Sequence, residues 1–319
     1  MILLTGGAGF LGESLLNALI NENVLCLGRQ KPSKISDSSF YKSEINSCAD
    51  FTAALQGVNI LIHCAARVHI MADDVINPLE SFRQVNTNGT LNLARQAANA
   101  GVKRFIFISS IKVNGESTEL DLPFKVNEIF APTDPYGLSK YEAEIGLRKI
   151  ANETGMEVVI IRPTLVYGPN VKANFASLLN LVSKGLPLPF SCITKNKRSL
   201  VSVKNLVDLI ITCIDHPKAA NQTFLVSDDN DVSTASMVKE MSNALGRSNR
   251  IFPVPLWCYQ LAGKLFGKQD VVNRLLGSLQ VDITHTKETL GWKPPQSLEE
   301  GFKETAEAFL KAKQEKTLL

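Results

Sequence analysis

Cysteine and histidine are scarce in this 319-residue chain: six cysteines, no two of them at C-x-x-C spacing, and four scattered histidines. That leaves neither a disulfide framework nor a zinc-type ligand set, so no metal is expected. An excess of charge of one sign is missing too. Lysine and arginine total 34 against 31 acidic residues, a net charge of +3 that gives no footing for nucleic acid. No apolar run approaches the roughly 20 residues of a membrane span, so no transmembrane segment is expected. The first apolar run starts at residue 1 or 2, leaving no room for a signal peptide. Unpaired thiols suit a reducing compartment, and a cytoplasmic location is the expectation. Repeats and low-complexity tracts are absent as well. What is present is an apolar content of 45%, enough for one large α/β domain or two modest ones.

The organising stretch is the opening MILLTGGAGFLG (1–12). The apolar run reads as a buried strand, TGGAG as a sharp turn, and the residues from Phe10 onward as a helix. Gly6, Gly9 and Gly12 recur at G-x-x-G-x-x-G spacing. Such glycines serve a tight turn, close approach of backbone to a pyrophosphate, and close packing of helix on strand. Phe10, Leu11 and Gly12 open the helix, where free N–H groups and the positive end of the dipole favour phosphate charge. Glycine-rich turns occur in other α/β proteins. A strand immediately before and a helix immediately after are what point to a dinucleotide.

Downstream, apolar runs and helical spacings alternate. Strands are predicted near 24–27, 41–45, 59–64, 104–109 and 158–161, and helices over 10–20, 79–100 and 136–154, with a short helix capped by Asp50. Strands apolar throughout, joined by helices, imply an α/β fold: a Rossmann-type, doubly wound parallel sheet covered on both faces. Past Pro163 the rhythm breaks. Pro163, Pro169, Pro187 and Pro189 punctuate loops around a helix at 175–184, and further helices are predicted near 203–214, 235–245 and 298–311. The expected division is an NAD(P)-binding domain over 1–165 and a smaller, mainly C-terminal substrate region over 166–319, partly interleaved with the sheet.

Tyr136 and Lys140 stand at i and i+4 at the start of a predicted helix and so share a face; Pro135 pre-sets its entry. A free tyrosine, with a pKa of about 10, is a poor base at neutral pH. An ammonium one turn away favours the phenolate, and an oxidised nicotinamide adds further positive charge. Tyr-x-x-x-Lys also occurs on ordinary solvated helix faces. Here it follows a nucleotide-type strand-turn-helix and a strand ending in Ser109-Ser110. Ser110 is placed to hydrogen-bond a reacting substrate oxygen beside Tyr136.

These residues carry a family resemblance. TGGAGFLG (5–12), HCAA (63–66), VNTNGT (85–90), FISSIKVNG (107–115), DPYGLSK (134–140), RPTLVYGP (162–169), RSLVSVKNLVDL (198–209) and LGWKP (290–294) follow one another in family order over nearly the whole chain. The sequence resembles the extended short-chain dehydrogenase/reductases, in the nucleotide-sugar epimerase/dehydratase group whose best-known members are UDP-glucose 4-epimerases. The resemblance implies Ser110, Tyr136 and Lys140 as the catalytic set. It places Cys64, Ala65 and Ala66 along an NAD or NADP cofactor, Glu44 and Ile45 near its adenine, and Pro163 beside the nicotinamide, with Ser109 in the same set. Asn174 and Arg198 are implied to face the substrate pyrophosphate, where a guanidinium can fork onto phosphate oxygens, and Lys112 is grouped with the substrate residues. Asn86 matches the family's structural asparagine; an ordinary polar residue at a helix start is the alternative. Helices 79–100 and 136–154 pair across a two-fold axis in that family, so a homodimer is expected.

Several positions depart from the family pattern. An NAD-binding unit usually carries a carboxylate about 20 residues past the glycines, bonding the ribose hydroxyls. Here the second strand ends in Gly28-Arg29 with Lys31 nearby, so nothing repels a 2′-phosphate, and NADP(H) is slightly favoured. Stacking of Arg29 on adenine, with either cofactor, is the alternative. Lys112 and Asn114 stand in SSIKVNG where SS-x-x-VYG is typical, and Leu165 stands where asparagine is frequent. The Arg-x-Gly-Asp that holds the nucleotide in many UDP-sugar members is not found near 271–274.

Epimerisation at the sugar 4-position by hydride transfer is the leading expectation. An NADPH-dependent 4-keto-sugar reductase is the alternative that Gly28-Arg29 favours. A dehydratase would carry an acid pair after Ser110, which Ile111-Lys112 does not supply; a non-catalytic NAD(P)-binding sensor would have lost Tyr136 and Lys140. A nucleotide sugar is the expected substrate, with a lipid-linked sugar still open. His69, in the loop at 67–78, is left outside the site. The unusually apolar 251–266 reads either as a core helix with a lid or as a greasy surface for a lipid carrier or dimer partner.

Overall fold

Short apolar runs bounded by turn residues become the central strands. The computed structural model describes residues 1–68, 77–128 and 132–317. Its main sheet holds β1 (Ile2–Thr5), β2 (Val24–Gly28), β3 (Phe40–Lys42), β4 (Ile60–His63), β5 (Arg104–Ile108), β6 (Glu157–Pro163) and β9 (Thr223–Val226). The spatial order is β3-β2-β1-β4-β5-β6-β9, and every pair is parallel. A second, two-stranded sheet pairs β7 (Leu165–Tyr167) with β8 (Leu200–Ser202).

Helices cover both faces, as all-parallel sheets require. On one face lie α1 (Phe10–Ala18) and α7 (Val203–Asp215), sharing a core with Ile2, Leu4, Ile62 and Ile106. On the other lie α2 (Thr52–Leu55), α4 (Thr90–Asn99) and α5 (Pro135–Thr154), packed over Leu3, Leu61, Phe105 and Phe107. The two faces take alternate residues of each strand, the period-two pattern of a pleated sheet. Arg104 ties α7 to the sheet: its Nη1 donates to the carbonyls of Cys213 and Ile214, both at 2.7 Å, at the helix C-terminus.

A third core forms beyond β6. Tyr167, Phe175 and Phe302 stack against one another, with centroids 5.0–5.6 Å apart. Around them pack α6 (Ala173–Ser183), α8 (Thr234–Ala244) and α12 (Leu298–Thr317). α9 (Leu256–Leu265), α10 (Gln269–Leu276) and α11 (Thr284–Leu290) complete the chain.

Beyond the two-stranded β7–β8 sheet and the helices α10 and α11, for which no expectation was made, several elements differ from the sequence expectation. The helix expected over 79–100 consists of α3 (Pro78–Phe82), a π-helical stretch (Arg83–Gly89) and α4. The third strand is Phe40–Lys42, shorter than the expected 41–45. A seventh strand, β9, joins the sheet from a part of the chain where no strand was expected.

Candidate active site

The C-terminal ends of β1, β2, β4, β5 and β6 meet along one sheet edge, where the order reverses between β1 and β4. Open α/β sheets bind ligands at such a switch point. The β1–α1 turn is built for close approach. Gly6 has φ +73°, and a Cβ there would stand 2.7 Å from the Ala65 amide nitrogen. A Cβ on Gly12 would run into the Gly6 carbonyl oxygen. Gly9 is the N-cap of α1 and supplies no side-chain cap, so the first-turn amides of Phe10, Leu11 and Gly12 face the turn without one. This uncapped, Cβ-free cradle fits a dinucleotide pyrophosphate.

Neighbouring strands extend the cradle. Thr5 Oγ1 accepts from the Ala65 amide at 3.2 Å and bonds His63 Nδ1 at 2.7 Å; His63 Nε2 bonds Thr90 Oγ1 at 2.8 Å. Burial drives the His63 pKa down to about 3, with Lys140 adding to the shift, so this imidazole is a neutral structural link. Cys64, next along, is pushed up to about 12 by burial and stays a thiol. Ala66 follows in the same loop. Ile45 is buried beneath the π-helical stretch, where a Cβ on Gly89 would approach it to 2.8 Å, while Glu44 is exposed. At the end of β2, Gly28 is half-buried and Arg29 exposed. Lys31 bonds Asp37 at 2.5 Å, so its charge is already paired.

The structure brings Ser110, Tyr136 and Lys140 together. Ser110 follows β5, and its Oγ accepts from the Lys112 amide at 3.2 Å. Asp134 caps α5 by accepting from the Gly137 amide at 2.8 Å, which sets Tyr136 in the first turn. Phe82 meets the Tyr136 ring edge-on at 5.8 Å. Burial, then the Asp134 charge, pushes Tyr136 up to about 12, opposed by a hydrogen bond with Ser110. Lys140 is 1% exposed; its Nζ donates to the Ile108 carbonyl at 2.8 Å and sits 4.4 Å from the Phe107 ring centre. Burial lowers its pKa to about 8, opposed by Cys64 and Glu144.

One expected cofactor residue faces elsewhere. Ser109 turns its hydroxyl into the core, donating to Glu144 Oε1 at 2.6 Å, so only its backbone lies along the sheet edge. Arg162 forks onto the same carboxylate at 2.9 and 2.6 Å, and its Nη1 donates to Asn114 Oδ1 at 3.0 Å. Lys112 pairs with Glu116 and Asp134, each at 3.1 Å. Pro163 closes β6, buried. Asn174 is exposed in the first turn of α6. His69 lies outside the described residues.

Arg198 is half-buried and donates to the Arg274 carbonyl at 2.8 Å. Its pKa is lowered by burial and then by the neighbouring Arg274 guanidinium. Asn86, fully buried in the π-helical stretch, fixes the loop after β4 to α5. Its Oδ1 accepts from the Arg67 amide at 2.8 Å, and its Nδ2 donates to the Arg67 carbonyl and Ser139 Oγ, both at 3.0 Å. That is the structural role rather than the helix-start one.

Residues 2–227 match the model of the NAD dependent epimerase/dehydratase family. The chain belongs to this family. A UDP-glucose 4-epimerase from Vibrio cholerae is 60% identical over 314 residues, covering 98% of this chain and 96% of that one. An N-acetyl-alpha-D-glucosaminyl-diphospho-ditrans,octacis-undecaprenol 4-epimerase from Escherichia coli O157:H7 is 28% identical, over 98% of this chain and 97% of that one. Among solved structures, the UDP-glucose 4-epimerase of Thermotoga maritima with UDP-glucose superposes with TM-score 0.78 at 25% identity, covering 98% and 99% of the two chains. As a member of this family the protein is an NAD-dependent enzyme with the extended short-chain dehydrogenase fold.

Arg274 is the functional candidate that sequence reasoning passed over. The search was for Arg-x-Gly-Asp, and this epimerase-family chain reads Arg274-Leu275-Leu276-Gly277-Ser278. Its arginine lies across from Arg198, 76 residues away in sequence, held there by Arg198 Nη1 and a bridge between Arg198 and Leu279. A wider spacing between arginine and glycine would have found it.

Proposed function

We propose that this enzyme interconverts UDP-hexoses at C4, using Ser110, Tyr136 and Lys140. The carrying observation is the nearness of Ser110 to the Tyr136 phenol at the end of β5, with Lys140 buried behind them and donating to the Ile108 carbonyl. Ser110 holds the sugar O4 beside Tyr136 Oη. Burial holds Tyr136 as a phenol in the unliganded chain, against the phenolate expected from sequence, so it takes the O4 proton only once the positive charge of an oxidised nicotinamide would join that of Lys140, and it returns the proton in the other direction. Lys140, with a pKa near 8, is mostly an ammonium at neutral pH and supplies positive charge to the phenol's surroundings. The β1–α1 cradle of Gly6, Gly9 and Gly12 would hold the dinucleotide, whose nicotinamide would supply reversible hydride exchange with C4, and with no net redox the reaction is an isomerisation. Arg198, with Arg274, receives the substrate pyrophosphate, and Asn174 borders it; the region from residue 166 onward is the substrate-binding unit.

The test is Tyr136→Phe, which removes only the ionisable oxygen. UDP-glucose turnover should fall about 10²–10⁴-fold while cofactor affinity holds. Wild-type turnover in the purified variant removes Tyr136 from the mechanism. Gly28-Arg29 favours a second reading, an NADPH-dependent 4-keto-sugar reductase, and supports NADP(H) as a cofactor. Mass spectrometry of the copurifying cofactor separates the two: retained NAD belongs to an epimerase, exchangeable NADPH to a reductase. A homodimer through the α4–α5 face accords with the exposure of Ile145 on α5. Light scattering that finds a fully active monomer at micromolar concentration rules it out.

A further inference from the structure

Exposed apolar surface concentrates at one place. Of the fifteen large hydrophobic side chains exposed among the described residues, seven fall between Phe252 and Val271. Trp257, Leu261 and Leu265 recur at i, i+4 and i+8 and so line one face of α9, with Leu256 beside them. Phe266 is 77% exposed at the C-cap of that helix, and Trp257 64%. The helix is held as a unit with α10: Gly263 lets the two approach, since a Cβ there would meet Val272 Cγ2 at 2.8 Å. The apolar face is therefore a fixed projection of the fold, on a helix buried only at Gly263.

Charge accompanies it. Between Arg247 and Arg274 there are five basic residues and one acidic, a net charge of +4 against +3 for the entire chain. Lys264 and Lys268 are exposed within and just after the apolar stripe. Tryptophan, phenylalanine and leucine flanked by lysine make up the composition of helices that lie in a lipid interface. No helix among the described residues is long and apolar enough to cross a membrane, so such contact would lie along the surface.

We propose that α9 docks the protein on an anionic lipid bilayer, with Trp257, Leu261, Leu265 and Phe266 entering the interface and Lys264 and Lys268 meeting the lipid phosphates. The charge complementarity favours an anionic bilayer over a second copy of this chain, whose matching segment would bring like charges together. Docking also sets Arg274, three residues beyond exposed Val271 and about 5 Å along the same helix, close to the lipid surface.

The experiment uses the full chain with vesicles of phosphatidylglycerol and phosphatidylcholine, and with phosphatidylcholine alone. The two tryptophans differ usefully: Trp292 is 5% exposed, bonded through Nε1 to Asp208 at 2.7 Å, whereas Trp257 is open. Anionic vesicles should cosediment the protein and shift Trp257 emission to the blue, and Trp257→Phe should abolish the shift. Leu265→Glu with Phe266→Glu should weaken vesicle binding at least tenfold while turnover of a soluble UDP-sugar and the melting temperature hold. Each of Lys264→Gln and Lys268→Gln should weaken it about fivefold. Binding that ignores lipid charge, or no binding with a Trp257 signal that follows protein concentration instead, overturns the proposal; the second outcome assigns the face to self-association. Apart from the turnover control, none of these readings depends on the reaction proposed at Tyr136.

Discussion

The proposed preference for NADP(H) over NAD(H) can be tested at one strand end. Gly28 closes β2 with extended backbone, and a Cβ built there meets nothing within 4 Å, so Gly28→Asp introduces a carboxylate without displacing anything. Arg29 beside it is exposed, and no hydrogen bond or ion pair involves it among the described residues. Lys31, the other cation of this turn, is paired with Asp37 and contributes little free charge. The discrimination therefore falls on Arg29. A charge-assisted hydrogen bond to a 2′-phosphate is worth roughly 1.5–3 kcal/mol, about one to two decades in affinity. Exposure screens that contact, so the lower end applies, and the preference should shrink further as salt is raised. Arg29→Ala is thus expected to weaken NADP(H) about tenfold and leave NAD(H) nearly unchanged. Gly28→Asp should tighten NAD(H) through the ribose hydroxyls and repel NADP(H). Calorimetric titration of both cofactors into apo protein, at low and high salt, measures the four affinities. Equal loss of both cofactors in Arg29→Ala would refute the electrostatic argument, and the reductase reading would lose its support.

Two further outcomes concern the scaffold beneath the site. Arg162 is fully buried and Glu144 1% exposed, so Arg162→Met leaves the buried carboxylate held only by Arg148 at 3.2 Å and by the Ser109 hydroxyl, and should cost about 3 kcal/mol, the lower end for a broken buried pair, in urea unfolding, part of which Glu144→Gln restores in the double variant; a loss below about 1 kcal/mol would contradict the burial. His63 titrates at about 3 in the folded protein against 6.5 when unfolded, so the unfolded chain binds the extra proton between those values. Stability should fall as pH drops from 6.5 towards 3, by up to about 1.4 kcal/mol per pH unit from this group, and His63→Gln should flatten that slope in acid-denaturation curves.

The sheet was readable because β1, β4, β5 and β6 are continuous apolar runs between turn residues, and the glycine turn needs no long-range information. β9 was not, since Thr223–Val226 lies past Pro163, where the strand–helix alternation that marked the earlier strands breaks down, and a four-residue run without that context reads equally as loop or strand. The π-helical stretch was hidden for another reason: a shift from i+4 to i+5 bonding changes no apolar period over seven residues. Ser110, Tyr136 and Lys140 followed from local spacing. Which hydroxyl of Ser109-Ser110 faces the site was decided by Glu144, 35 residues from Ser109, and no local pattern reports that. Arg274 likewise depends on where α10 ends relative to a distant arginine.

β9 has a consequence for anyone who would recombine this enzyme. The last strand of the sheet is supplied by chain that has already been through α6 and β8, and α7, bolted by Arg104, arrives just before it. A fragment cut after β6 would keep the glycine turn, Ser110, Tyr136 and Lys140, yet leave the edge from Ile160 to Pro163 unpaired and the α1 face half stripped. The proposed substrate region is therefore not a cassette that can be exchanged at one junction. A graft from a relative with another sugar preference has to be sewn in at two seams, replacing the loops and helices around α6 and from α8 onward while the host's own α7 and β9 stay in place.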